Sequence, residues 1–281
     1  MKQALLLSAL VGLTCLGVAP ANAVTPHLPE LDMATLQQRG LELAQEAAQL
    51  AQFQQYDLAL QRAELASQLI PDDYRVWALV ADINLRTREV DIAIAALRKA
   101  QSLSPDEPAV LFALGSAYFR QQDYARAASY LESGLKLKED VPGALFDLGN
   151  AYYMQQRFPD AIATYEKAVD QEEDFWEAIN NIGLVQYEQG RTEDALDSWR
   201  KASAIDEEAA EPLLAMGVAF LTQGNQAQAL FNAEKALELN DRYADIEFLK
   251  EQLWGPRLIA DTEKLLALPI MRQILLQLDT P

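Results

Sequence analysis

Few residues of the chain have side chains that could do catalytic or metal chemistry. Histidine occurs once, at His27 beside two prolines, and cysteine occurs once, at Cys15. Neither has a second ligand at metal-binding spacing, and the sequence contains no phosphate-binding loop and no nucleophile elbow. The densest carboxylates lie at 172–174 and 206–208 and are predicted to be solvated turns, with weak calcium contact as the alternative. We therefore expect no enzymatic activity, no metal and no cofactor.

The composition narrows the classes of partner. The formal net charge is -19, so the chain should repel nucleic-acid backbones and anionic lipid surfaces. Half of the residues are apolar, while glycine and proline are few, which favours a helical fold with a substantial core. These properties leave protein or peptide as the expected partner.

Residues 1–23 differ in composition from the rest of the chain. Lys2 is their only charged residue, an apolar run extends over 5–18, and small residues stand at 21 and 23. This order is typical of a secretory signal peptide, and the run is short for a membrane span, which needs about 20 residues. We predict cleavage after Ala23, with a retained anchor and lipidation at Cys15 as alternatives. Cleavage would leave no cysteine and would change the net charge from -19 to -20, because Lys2 is lost.

Small residues recur with a period of 34 over most of the chain. Three columns keep this period through six units without an insertion. The first column is Ala47, Ala81, Gly115, Gly149, Gly183 and Gly217; the second is Ala59, Ala93, Ala127, Ala161, Ala195 and Ala229; the third is Ala66, Ala100, Gly134, Ala168, Ala202 and Ala236. Larger residues keep the same frame at helical spacings, for example Leu131, Tyr165 and Trp199. The pattern predicts a helix pair in each unit, with small residues where the two helices approach closely.

This pattern resembles the tetratricopeptide-repeat (TPR) family, which implies an all-α, right-handed α-solenoid of stacked helix–turn–helix units. The resemblance covers six repeats at 40–243, preceded by a lead-in and helix start at 24–39 and followed by capping helices at 244–281. Some positions depart from the family: the turn proline is absent from the last four units, and Asn84 and Gln186 stand at an aromatic position. Thr35 and Gln38 predict a capping box that opens the first helix.

The C-terminal segment is apolar but interrupted. Gly255-Pro256 breaks the chain after a helix predicted at 244–253, and Pro269 interrupts the last segment, 258–278. A stacked array exposes an apolar face at its final pair, so we predict that this segment covers that face. Docking to a partner, or to a second copy of the chain, is the alternative.

In the family, the first helix of each pair lines an inner groove that binds peptide or protein segments. The resemblance therefore implies a partner-binding surface here. Its aromatics would give contact area and its Asn side chains could bond an extended backbone; packing between neighbouring first helices is the competing interpretation for the aromatics. The positions concerned are Arg75, Arg86, Phe112, Ser116, Phe119, Arg120, Phe146, Asn150, Tyr153, Asn180 and Tyr187.

Charge is distributed unevenly along the repeats. Units two and three, 74–141, carry nine basic and nine acidic residues, whereas units four and five, 142–209, carry five basic and fifteen acidic residues. The second half could attract a basic segment, or the charge could serve solubility alone.

We predict an interaction scaffold or assembly factor in an exported compartment, a periplasm or a thylakoid-lumen-like space. A holdase for unfolded exported chains and a pilotin-like envelope assembly protein are the alternatives. Peripheral association with a membrane complex and homo-oligomerisation remain open.

Overall fold

The computed structural model of the chain describes residues 32–278. The predictions for the signal peptide at 1–23, for Cys15 and for His27 lie outside the described residues. Within 32–278 the chain is helical and contains no strand, as the 34-residue period predicts.

Within 32–278, twelve helices form six antiparallel pairs. The two helices of a pair contact each other more extensively than they contact the helices of the next pair. The first helices of the pairs are α1 (Met33–Gln52), α3 (Tyr74–Arg86), α5 (Pro108–Arg120), α7 (Pro142–Met154), α9 (Trp176–Glu188) and α11 (Ala210–Thr222). The second helices are α2 (Tyr56–Leu69), α4 (Val90–Leu103), α6 (Tyr124–Leu137), α8 (Phe158–Gln171), α10 (Thr192–Ile205) and α12 (Gln226–Leu239).

The columns of small residues lie at the contact between the two helices of each pair. All six alanines of the second column are fully buried. At three of the four glycines of the first column, a bulky side chain of the second helix occupies the space: a Cβ on Gly115 or Gly149 would lie 2.5 Å from Leu131 or the Tyr165 ring, and one on Gly183 would overlap the Trp199 indole. At Gly217 the backbone of α12 itself approaches closely. Glycine in the first helix and a large residue in the second are therefore complementary shapes.

The turns inside the pairs also repeat every 34 residues. Each contains one residue in the left-handed conformation, which favours glycine, yet only the last two units have glycine there. These residues are Gln54, Arg88, Gln122, Gln156, Gly190 and Gly224.

The start of α1 differs from the predicted capping box. Asp32 is the N-cap residue: its carboxylate accepts a hydrogen bond from Ala34 N at 3.1 Å, and the Thr35 hydroxyl donates to the same carboxylate at 2.6 Å. Thr35 lies inside the helix because an aspartate three residues earlier supplies a charged acceptor for the free N–H groups.

The chain after α12 does not form the single helix that the sequence predicts at 244–253. It forms a 3₁₀ turn (Asp241–Ala244), a short α13 (Ile246–Glu251), then α14 (Pro256–Leu266) and α15 (Pro269–Leu278). Pro256 and Pro269 each begin a helix, since proline lacks the N–H that a first turn leaves unpaired. Helix α15 contacts α12, the outer helix of the last pair, whereas α14 crosses α9 and α11.

Candidate partner-binding groove

The first helices lie on the inner side of the solenoid. From α1 to α7 each contacts the next first helix directly, and each second helix packs against the first helix of the following pair. The thirteenth residue of each unit forms a row along this inner side, which we call the groove row. It consists of Gln52, Arg86, Arg120, Met154, Glu188 and Thr222.

Three predicted site residues are exposed arginines in the N-terminal half. Arg75 pairs with Asp73, the N-cap residue of its own helix, and Arg86 pairs with Asp82 one turn away at 2.9 Å. Arg120 Nη1 donates to the Leu85 carbonyl at 2.7 Å, which joins α5 to the end of α3. All three are exposed to solvent.

The three predicted phenylalanines are half-buried and each packs against a neighbour. Phe112 fills the space beside Gly134, where a Cβ would lie 2.5 Å from its ring. Phe119 meets Tyr124 edge to face with ring centroids 5.2 Å apart. Phe146 lies between Tyr165 and Phe175, and its ring centroid is 5.8 Å from that of Tyr165 and 5.2 Å from that of Phe175. Much of this aromatic area therefore serves packing within the repeats.

Polar residues predicted to contact a partner bond across successive first helices instead. The Ser116 hydroxyl donates to Asp147 Oδ2 at 2.6 Å. Burial raises the pKa of the Asp147 carboxyl, while the Ser116 hydrogen bond and the charge of Arg120 oppose that rise. The pair thus holds α5 against α7.

Asn150 and Asn180 belong to a buried amide cluster between α7 and α9. Asn150 Oδ1 accepts from the Tyr165 hydroxyl at 2.6 Å and from Asn181 Nδ2 at 2.9 Å. Asn180 Nδ2 donates to Asn181 Oδ1 at 3.2 Å, while Asn180 Oδ1 is buried without a hydrogen bond to any described residue. Asn150 Oδ1, which could have accepted a hydrogen bond from a peptide backbone, is therefore already bonded to side chains of the protein itself.

The two tyrosines predicted for the groove are also buried. Tyr187 has no exposed surface, and its hydroxyl donates to Asp261 of α14 at 2.7 Å. Tyr153 is 5% exposed, and its hydroxyl proton has no acceptor among residues 32–278. Burial raises the pKa of both phenols.

Helix α14 occupies the C-terminal end of the groove, which the residue pattern alone did not indicate. Glu188 of the groove row accepts from Leu258 N at 2.9 Å and from Arg257 N at 3.2 Å, so its carboxylate caps α14. Residues 210–220 of α11 are all buried, because α10, α12 and α14 pack against this helix. The groove is open along α3, α5 and α7 and closed over α9 and α11.

A buried carboxyl lies under this covering segment. Glu211 is 8% exposed, and its Oε1 accepts from Trp254 Nε1 at 2.8 Å. Burial raises the pKa of Glu211 to about 7, and the hydrogen bonds from Trp254 and Asn180 oppose the rise. No ion pair to Glu211 forms among the described residues.

A cavity of about 350 Å³ remains where the open and closed parts of the groove meet. Tyr153, Met154, Phe158 and Leu253 supply most of its apolar wall, and Lys250 stands at its edge. Among residues 32–278 no cluster of three or more His, Cys, Asp or Glu could hold a metal ion. In the same part of the chain, no helix has the length and apolar character that crossing a membrane requires.

Comparison with known families gives two matches. The family model described as the cytochrome c-type biogenesis protein H TPR domain matches residues 24–174, a little over half of the chain. A TPR repeat model matches residues 186–224. No curated protein matches the sequence.

Solved structures resemble the fold at low sequence identity. A structure from the functional characterisation of Pseudomonas aeruginosa pilF is 15% identical with a TM-score of 0.64, over 79% of this chain and 100% of that chain. YrrB, a TPR protein with an unusual peptide-binding site, is 19% identical with a TM-score of 0.53, over 72% and 97%. MamA from Desulfovibrio magneticus RS-1 is 20% identical with a TM-score of 0.55, over 61% and 97%.

Proposed function

Because the chain belongs to the tetratricopeptide-repeat family, and matches its cytochrome c-type biogenesis protein H group, we propose that it is an exported scaffold that holds a protein segment in its groove. The observation that carries the proposal is the open groove along α3, α5 and α7. Its surface combines the exposed charges of Arg86 and Arg120 with the apolar side chain of Met154, which lines the cavity of about 350 Å³. Such a mixture of charge and apolar area suits a protein segment.

The exported compartment is part of the proposal. It is supported by the apolar run and small residues of 1–23, and the name of the matching family model, a cytochrome c-type biogenesis protein, fits an assembly role there. N-terminal sequencing of the protein from its native host should begin at Val24. A chain that begins at Met1, or at a lipidated Cys15, would contradict cleavage after Ala23.

The binding surface can be tested with exposed residues, whose replacement should leave the fold intact. We expect Arg86→Glu combined with Met154→Glu to abolish capture of an envelope protein in a pull-down from the native host, because both are exposed residues of the groove row. Lys201→Glu is the matched control: Lys201 is exposed on α10, a second helix.

The outcomes of this pull-down separate the proposals. Capture of one partner by wild type and by the control, but not by the groove variant, supports a scaffold. Equal capture by all three proteins would contradict groove binding. Retention of many unrelated unfolded chains would favour the holdase alternative over a dedicated assembly factor.

A further inference from the structure

Helix α14 makes polar contacts with the groove residues Tyr187 and Glu188 through its first two turns. The carboxylate of Glu188 caps its first turn, and Arg257 Nη1 donates to the Tyr187 carbonyl at 3.0 Å with its guanidinium 4.8 Å from the Tyr187 ring centroid. One turn later, Asp261 accepts from the Tyr187 hydroxyl. Arg257 and Asp261 lie four residues apart, so one face of α14 carries both contacts.

The apolar residues of α14 complete the fit. Leu258 and Leu265 have no exposed surface, and Ile259 is buried against the same core. Just before α14, the Trp254 indole donates to the Glu211 carboxyl, and Leu253 adopts a left-handed conformation with φ 65°, which is strained for a non-glycine residue. The segment at 253–255, which we call the tether, is thus locally strained and connects directly to a helix that fits the groove.

We propose that α14 is an intramolecular ligand of the groove and that a partner helix with an apolar face and a basic residue in its first turn replaces it. This inference rests on the proposed groove-binding function and identifies the partner's chemistry. A helix is indicated because Glu188 offers a carboxylate to the free N–H groups that a helix N-terminus presents as a set, as α14 does. A basic residue is indicated because Arg257 already fills that place beside Tyr187 of unit five, and units four and five carry fifteen acidic residues against five basic ones.

The tether makes α14 a strong competitor. A short flexible connection gives an effective concentration in the millimolar range, so a separate helix of equal quality would bind the resting protein weakly. Weakening the contacts of α14, without changing α9 or α11, should therefore expose the site to an added helix.

The probe is a labelled synthetic peptide with the sequence of residues 252–268, titrated against the full chain carrying Cys15→Ser. In the release variant, Arg257→Ala and Asp261→Ala remove the two polar contacts. The control, Glu263→Ala with Arg272→Ala, removes one charge of each sign from exposed positions of α14 and α15. We expect the release variant to bind the peptide roughly 10-fold or more tightly than wild type, and the control to bind like wild type.

Equal peptide affinity in the release variant and wild type would overturn the proposal. If the release variant fails to fold, hydrogen exchange of the wild-type protein decides: α14 amides should exchange through local opening, well before those of α9 and α11. Protection of α14 equal to that of α9 would show an integral element of the fold and reject the proposal. Neither result depends on envelope capture through Arg86 and Met154, so failure of the two functions is distinguishable.

Discussion

Replacing Glu211 with glutamine should make the protein more stable at pH 8 and less sensitive to pH. Glu211 is buried among neutral groups, Trp254 and Asn180, while the nearby Glu177 carboxylate opposes its ionisation. Tyr153 and Tyr243 also sense its charge, and burial leaves both phenols neutral at this pH. Glutamine keeps the shape and still offers an oxygen to the Trp254 indole.

The magnitude follows from the shift in the pKa. Burial raises the pKa of Glu211 from 4.5 to about 7, and one pKa unit corresponds to about 1.4 kcal/mol, so ionisation in the folded state costs about 3 kcal/mol. Because the folded chain binds this proton more tightly than the unfolded chain, the contribution of Glu211 to the free energy of unfolding is greatest below pH 4.5. It falls as the pH rises towards 7 and is then level. Glutamine should recover about 3 kcal/mol at pH 8 and almost nothing near pH 4.5.

The assay is denaturant unfolding of wild type, Glu211→Gln and the control Glu234→Gln at pH 5 and pH 8. Glu234 is exposed on α12, so its replacement should change neither value. Repeat arrays can unfold in parts, so hydrogen exchange of α9 and α11 should accompany the global measurement. If Glu211→Gln were less stable than wild type at pH 8, or kept the same pH dependence, the buried acid would not be the source of the penalty.

Three further substitutions test the repeat architecture by thermal unfolding. Gly183→Ala should destabilise the protein by about 1–3 kcal/mol, because the added Cβ would overlap the Trp199 indole; an unchanged melting temperature would contradict that close contact. Gln156→Gly should stabilise by about 1 kcal/mol through its left-handed φ of 59°, and a loss would show that the side chain matters more than the backbone. Tyr165→Phe should cost about 1 kcal/mol by removing the hydroxyl that Asn150 accepts from, and no change would show that the amide cluster compensates.

The sequence predicts the repeat scaffold well because the scaffold depends on periodic contacts. A close approach of two helices demands a small residue at one register position, and the demand recurs whenever the pair recurs. The same argument explains why helix starts were predictable only approximately. Capping depends on a single acceptor, and Asp32 supplies a better one than Thr35.

The occupancy of the groove could not be predicted in the same way. The family pattern identifies which positions face inward, but it cannot tell an exposed inner position from one covered by a distant segment. Tyr187 and Asp261 are 74 residues apart in the chain, and no local spacing connects them. Likewise, Asn150 and Asn181 pair across adjacent units because two amides happen to meet there, which a column of identical positions does not reveal.

The groove row explains why α14 settles at the fifth unit rather than elsewhere. All six units share one backbone frame, so the thirteenth residue reaches the groove at an equivalent place in each. At Arg86 and Arg120 that place is positive and would repel the positive end of a helix dipole, and Met154 offers no acceptor. Only Glu188 presents a carboxylate, and it accepts two of the N–H groups that begin α14. A partner segment on the open units therefore meets the positive charges of Arg86 and Arg120, whereas α14 meets the carboxylate of Glu188. We expect the two parts of the groove to bind ligands of different charge.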